Sequence, residues 1–187
     1  MVDAGLRAAL RFAGRFALGA LAASGAACGY SFSGTSLPAH IKSIAIPVFQ
    51  NESLDATIAS EATRGITESF VADSRLKLAR EGNADCVLEG KVVGYERNVY
   101  SYSAAQEPEA YIVVVRIAVV LKDRVKNRDL WSDEGLTATA TFPAVPGESA
   151  SAGTSGGEGP PQDEEDARAA AIRNLAQDIL ARTLEQW

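Results

Sequence analysis

The chain has 187 residues, 24 acidic against 18 basic for a net charge of −6, and 47% hydrophobic side chains. An acidic chain of this kind is not built for nucleic acid, whose binding rests on clustered Lys and Arg. One histidine, His40, and two cysteines, Cys28 and Cys86, exclude a Cys/His metal centre, while the length suffices for one domain with a real core.

Arg7, Arg11 and Arg15 precede an apolar run, Phe16 to Ala27, rich in Ala and Leu, which is the pattern of a secretory signal over residues 1–27. The run is too short to span a bilayer, which needs about 20 apolar residues. Ser24, Gly25, Ala26 and Ala27 lead into Cys28 and Gly29. This resembles a lipobox, in which the cysteine is acylated and becomes the new N-terminus. The lipobox pattern prefers Leu, Val or Ile three residues before the cysteine, where this chain has Gly25, with Leu21 further back. Fatty chains such as palmitate contribute about 0.8 kcal/mol per buried CH₂, and two or more give stable anchoring without a transmembrane helix. Gly29, rather than Asp, next to the cysteine is expected to sort the lipoprotein to the outer membrane, facing the periplasm. An ordinary signal cut near Ala27 is the alternative. Cys28 is then a plain thiol and a Cys28–Cys86 disulfide is open, whereas acylation leaves Cys86 unpaired, a buried inert thiol at the start of a strand.

Residues 28–187 read as one α+β domain. Ile41 to Val48 is strand-like, with Ile44, Ile46 and Val48 on one face and Pro47 near its end. Asn51 to Ser53 is a turn. Leu54, Ile58, Ala62, Ile66 and Phe70 then recur at four-residue spacing, one face of a helix ending near Asp73 or Ser74. Leu76 to Arg80 predicts a short strand, Glu81 to Ala84 a turn, and Asp85 to Ser103 a long bent strand in which Gly90 and Gly94 mark a bulge or a close backbone approach. Tyr111 to Arg124 is the strongest strand: Tyr111, Val113, Val115, Ile117, Val119 and Leu121 share one face. The other face is mixed, with Ile112, Val114, Ala118 and Val120 interrupted by Arg116 and Lys122. Lys126 to Asp129 predicts a hairpin turn into Leu130 to Phe142, completing an antiparallel meander. Residues 143–162 are Gly, Ser and Pro rich without periodicity, a flexible loop. Asp163 to Asp166 place acids at the start of a last helix, with Ala167, Ala171, Leu175 and Ile179 on its apolar stripe. The expected fold is a mostly antiparallel sheet of four to five strands with two helices on one face.

No nucleophile with a base, phosphate loop or cofactor motif emerges, so an enzyme is not expected; the Gly-rich run 153–159 lacks the Lys and Ser/Thr of a P-loop and follows no strand. Glu61 and Glu68 read as solvated charge on a helix.

Cys28-Gly29-Tyr30-Ser31-Phe32, Leu37-Pro38 before Ile41 to Val48 and Asn51, Ala84-Asp85-Cys86-Val87-Leu88-Glu89-Gly90, and the acidic start of the last helix together resemble the LptE lipopolysaccharide-assembly lipoproteins. The likeness runs along nearly all of the chain after the signal, in short motifs; the Gly/Ser loop is longer than the family pattern leads one to expect. It implies a plug-like partner inside the LptD outer-membrane barrel that helps deliver lipopolysaccharide. A strand followed by an Asn turn also fits LpoB-type activators of peptidoglycan synthases and CsgG-like secretion lipoproteins, in which strands and helices are expected to alternate. Two surfaces are candidates. The half-apolar face, Ile112, Val114 and Val120 with Tyr100 and Tyr102, is expected to meet the barrel wall or lipid chains, unless a terminal segment or the Gly/Ser loop covers it. Lys122, Arg124, Lys126 and Arg128 are expected to contact anionic lipopolysaccharide, with Lys122, Arg124 and Lys126 on one side if the strand stays extended. The competing role for these cations is a solvated hairpin that keeps a sheet edge soluble.

Overall fold

The computed structural model describes residues 37–145 and 160–185; the signal, Cys28 and most of the Gly/Ser/Pro segment lie outside them. The elements are β1 (Ser43–Ala45), β2 (Gln50–Asn51), α1 (Ile58–Asp73), β3 (Lys77–Leu78), β4 (Cys86–Tyr102), β5 (Pro108–Asp123), β6 (Arg128–Pro143) and α2 (Glu164–Glu185). They form one six-stranded sheet in the order β3-β1-β4-β5-β6, with β2 also paired to β4. β4, β5 and β6 are an antiparallel meander. The short strands are parallel: β1 to β3, and β1 and β2 to β4. A parallel β1–β3 pair needs a crossover, and α1 supplies it.

Local chemistry sets the element ends. The predicted strand 41–48 is broken, because Pro47 has no N–H to give and the chain turns inward to bury Phe49, whose N–H donates to Thr63 Oγ1 at 3.0 Å. α1 starts at Ile58 rather than Leu54, since Asp55 Oδ1 accepts from the N–H groups of Thr57 and Ile58 at 2.8 and 3.2 Å and so caps the first turn. Leu54, placed on the apolar stripe by its spacing, is instead fully exposed. Ser74, at φ 63°, closes α1 through its N–H to Phe70 O at 3.2 Å. In α2, Asp163 Oδ1 accepts the Asp166 N–H at 2.9 Å, and Glu164, Glu165 and Asp166 occupy the first turn, where the helix dipole favours them.

Both helices lie on one face of the sheet. Ile58, Ala62, Ile66 and Phe70 of α1 and Ala167, Ala171, Leu175 and Ile179 of α2 close over Val113, Val115, Ile117, Val119 and Leu121 of β5, all buried. Each such aliphatic side chain contributes about 1.5–3 kcal/mol when removed from water. The helices run side by side in the same direction. A Cβ on Gly65 would lie 2.6 Å from Ile172 Cγ2, so only glycine permits this approach. The opposite sheet face carries no helix among the described residues.

The sheet has two distinct ends. At the proximal end β1, β3 and β4 begin and β5 finishes, as the pairs Ser43–Lys77, Ile44–Cys86 and Cys86–Asp123 show. At the distal end the β4–β5 hairpin turns over residues 103–107.

Candidate functional site

The proximal end is organised by two carboxylates. Asp85 Oδ2 accepts from Lys42 N, Ser43 N and Ser43 Oγ at 3.0, 3.0 and 2.8 Å, and Asp85 N donates back to Ser43 Oγ at 3.0 Å. This reciprocal lock fastens the start of β1 to the start of β4. The Lys42 amide and Ser43 hydroxyl, with nearby His40, hold the Asp85 carboxyl below its usual value. Asp123, buried at the end of β5, uses Oδ1 to accept the N–H groups of Val125 and Lys126 at 2.9 Å each, and Oδ2 to accept His40 Nε2 at 2.9 Å. Burial opposes its charge, yet these donors hold its carboxyl below the usual range. Between the two carboxylates, burial pushes the Cys86 thiol up to about 12. That thiol is protonated and unreactive at neutral pH.

Asp123 shapes the β5–β6 turn over residues 124–127, completed by Asn127 at φ 48°, a left-handed position that Asn tolerates. The strand therefore stops at Asp123, and Lys122, Arg124 and Lys126 do not continue in alternation on one side of it. Lys122 belongs to the helix-free face, where Nζ is 2.6 Å from Glu89 Oε2. Arg124 and Lys126 are exposed on the turn and have no ion-pair partner among the described residues. Arg128 Nε lies 4.0 Å from Asp123 Oδ2. The structure thus brings three of the four cations to one turn, while Lys122, held by Glu89, lines the same surface cleft as Arg124 and Arg128.

On the helix-free face Ile112, Val114, Ala118 and Val120 are half-buried, in step with the buried odd-numbered residues of β5. Arg116, paired with Glu96, and the Lys122–Glu89 pair frame them. Opposite Ile112, Val114 and Arg116 stand Thr141, Thr139 and Thr137 of β6. Tyr100 and Tyr102, 58% and 59% exposed, stand near the distal hairpin, where register shifts at Val99/Ser101 and Ser101/Tyr102 bend the ribbon. The described residues thus leave an apolar strip along the sheet and two aromatic rings beyond it.

Sequence reasoning missed the distal anchor, Arg168 in the first turns of α2. Its guanidinium reaches Asp55 Oδ2 at 3.2 Å, Glu61 Oε1 at 3.4 Å and Glu164 Oε1 at 3.9 Å, and stands 4.8 Å from the Tyr95 ring centre. Tyr95 Oη donates to Glu164 Oε1 at 2.8 Å and accepts from Arg168 Nε at 3.2 Å. Glu164 stands one turn before Arg168 on the same helix, but Asp55, Glu61 and Tyr95 are far from it in sequence, so no local pattern announces the cluster. Among the described residues no group of three or more His, Cys, Asp or Glu is placed to hold a metal ion, and no helix is long and apolar enough to cross a membrane.

A family model described as LptE, lipopolysaccharide-assembly, matches residues 41–183. No curated protein matches. Among solved structures, a single-substitution variant of the PelC dodecamer from Paraburkholderia phytofirmans is 16% identical, with 81% of this chain and 95% of that chain covered and a TM-score of 0.50. Lipoprotein B from Nitrosomonas europaea is 18% identical over 81% of this chain and 86% of that one, with a TM-score of 0.46. A minor lipoprotein from Acinetobacter baumannii is 15% identical over 78% and 92%, also with a TM-score of 0.46. At such identities the first likeness concerns the fold alone.

Proposed function

The chain belongs to the LptE lipopolysaccharide-assembly family, and from that membership we propose that it is a lipoprotein, acylated on Cys28, that partners an LptD-like β-barrel in the outer membrane. The observation that carries the reading is the helix-free sheet face. A sheet that carries helices on one side only among the described residues, with Ile112, Val114 and Val120 half-buried on the other, offers a strip suited to a barrel wall or to acyl chains. Tyr100 and Tyr102, exposed near the distal hairpin, add amphipathic rings of the kind enriched at interface hot spots. Family membership, with the long β4–β6 meander followed by a terminal helix, favours this reading over the LpoB-type and CsgG-like alternatives, in which strands and helices would alternate.

Val114→Asp tests the strip. The variant is expected to fold, because Val114 lies outside the helix-covered core, and to lose at least about tenfold in affinity for the barrel, since a charge at the centre of an apolar contact is left unpaired. Co-purification of tagged protein with its barrel reads the loss, and circular dichroism reads the fold. A variant that folds and still co-purifies at wild-type yield removes the strip from the interface.

For lipopolysaccharide we propose contact by Lys122, Arg124, Lys126 and Arg128. Arg124 and Lys126 carry most of it, because Lys122 is engaged by Glu89 and Arg128 stands near Asp123. Alanine at all four positions is expected to weaken binding about tenfold at low salt, with Arg124→Ala/Lys126→Ala giving most of that loss and Lys122→Ala little. Titration of the purified protein with lipopolysaccharide at low and high salt measures it. Binding indifferent to salt and to the four substitutions assigns lipopolysaccharide to another surface.

A further inference from the structure

We propose that the proximal end of the domain docks on anionic phospholipid headgroups of the leaflet that holds the chains on Cys28. The proposal rests on the reading that Cys28 is acylated, and adds to it a surface and an orientation.

Three observations converge on this end. The first is where the chain arrives: His40 is bonded to Asp123 at 2.9 Å, so the segment coming from Cys28 meets the sheet beside the β5–β6 turn. Twelve residues, from Cys28 to His40, span at most roughly 40 Å, a short reach for a tether that enters the sheet at this end. The second is charge. Arg124 and Lys126 are exposed on the turn, and Lys42 and Lys77 are exposed at the same level of the sheet, through the pairs Ser43–Lys77, Ile44–Cys86 and Cys86–Asp123. The acids here are largely engaged. Asp85 and Asp123 are turned onto backbone N–H groups, Glu89 holds Lys122, and Asp73 holds Arg75, which leaves Glu81 and Asp129 exposed. A chain of net charge −6 thus gathers, at the end where it enters the sheet, cations with no ion-pair partner among the described residues. The third is shape: Val125, 62% exposed, sits between Arg124 and Lys126 at the tip. An apolar side chain flanked by long cationic ones suits the boundary between headgroups and acyl chains, the valine entering and the cations staying at phosphate depth.

The test uses the full lipoprotein, extracted in detergent and placed in nanodiscs of phosphatidylcholine alone, with about 30% phosphatidylglycerol, or with lipopolysaccharide. An environment-sensitive fluorophore is attached through Val125→Cys or, as a control at the opposite end, Ala105→Cys. Cys86 is buried with its thiol pushed up to about 12, so the introduced thiol is labelled alone. With phosphatidylglycerol the label at 125 is expected to shift to the blue and gain about threefold protection from an aqueous quencher, while the label at 105 stays exposed. Arg124→Glu/Lys126→Glu should abolish the protection. A label at 125 quenched equally in both phospholipid compositions overturns the proposal. Protection that requires lipopolysaccharide also overturns it, while supporting the lipopolysaccharide contact proposed above. Intact mass of the same preparation separates the remaining case: a chain without acyl mass overturns the anchoring reading and, with it, the docking.

Discussion

Arg168→Leu is expected to lower stability by about 3 kcal/mol, read as a fall in denaturant midpoint at unchanged slope. The Arg168 side chain is only 19% exposed, and its guanidinium faces Asp55, Glu61 and Glu164 from three directions. Leucine replaces the packing of its stem but leaves three carboxylates facing one another, and removing one partner of a buried pair costs more than the pair itself contributes. Arg168→Lys should recover only part of the loss, because an ammonium cannot serve Tyr95, Asp55 and Glu61 from one plane. Acid titration gives an independent check. Burial works against the Asp55 charge, but the Thr57 donors and Arg168 together hold its carboxyl below the usual value. Asp55 therefore contributes stability that is present above the unfolded-state value and lost as pH falls through the folded one. The acid limb should be shallower in Arg168→Leu than in the wild type.

Gly90→Val is expected to cost about 3 kcal/mol, at the upper end of overpacking effects. A Cβ at this position would occupy the space of the Phe49 ring, overlapping Cε2, Cδ2 and Cζ. Phe49 cannot retreat easily: it is buried, and its N–H is bonded to Thr63 Oγ1, which in turn donates to Ala59 O at 2.6 Å. Combining Gly90→Val with Phe49→Ala should therefore be less damaging than the sum of the two, with a coupling above about 1 kcal/mol in a double-mutant cycle. Gly82→Ala is the control, since nothing lies within 4 Å of its Cβ position; its stability should change by less than about 0.5 kcal/mol.

The contrast between Gly90 and Phe49 shows where local pattern stops informing. Alternation in β5 correctly divides Val113, Val115 and Ile117 from Ile112 and Val114 because a strand's period fixes which face each side chain takes. The four-residue spacing of Ile58, Ala62, Ile66 and Phe70 likewise finds the buried side of α1, and the fold class follows from these two periods. Gly90 could be marked as a close approach, but what approaches it is Phe49, set by pairing distant in sequence. Parallel addition of β1, β2 and β3 to the sheet is equally illegible, since strands of two or three residues have no period to read. At the candidate site, residue type points to the cations of the β5–β6 turn, yet their arrangement depends on Asp123. A side chain that ends the strand by binding two backbone N–H groups competes locally with extension. Asp85 stands within a recognisable motif, but its lock on Ser43 needs the fold to become visible.

The long Gly/Ser/Pro stretch can be considered as a problem in chain statistics. β6 ends at Pro143, opposite Ala110 in the distal half of the sheet, and α2 begins at Glu164, which meets Tyr95 and Arg97 in that same half. The connection need not return along the length of the sheet, as it would if α2 ran antiparallel to α1. Closing a loop between such endpoints costs free energy only as the logarithm of its length, about 0.6 kcal/mol for each doubling. The parallel helices thus ask the connection only to join two points in one half of the sheet. Doubling the length of this connection with a Gly/Ser insert should therefore shift the denaturant midpoint by less than the equivalent of about 1 kcal/mol.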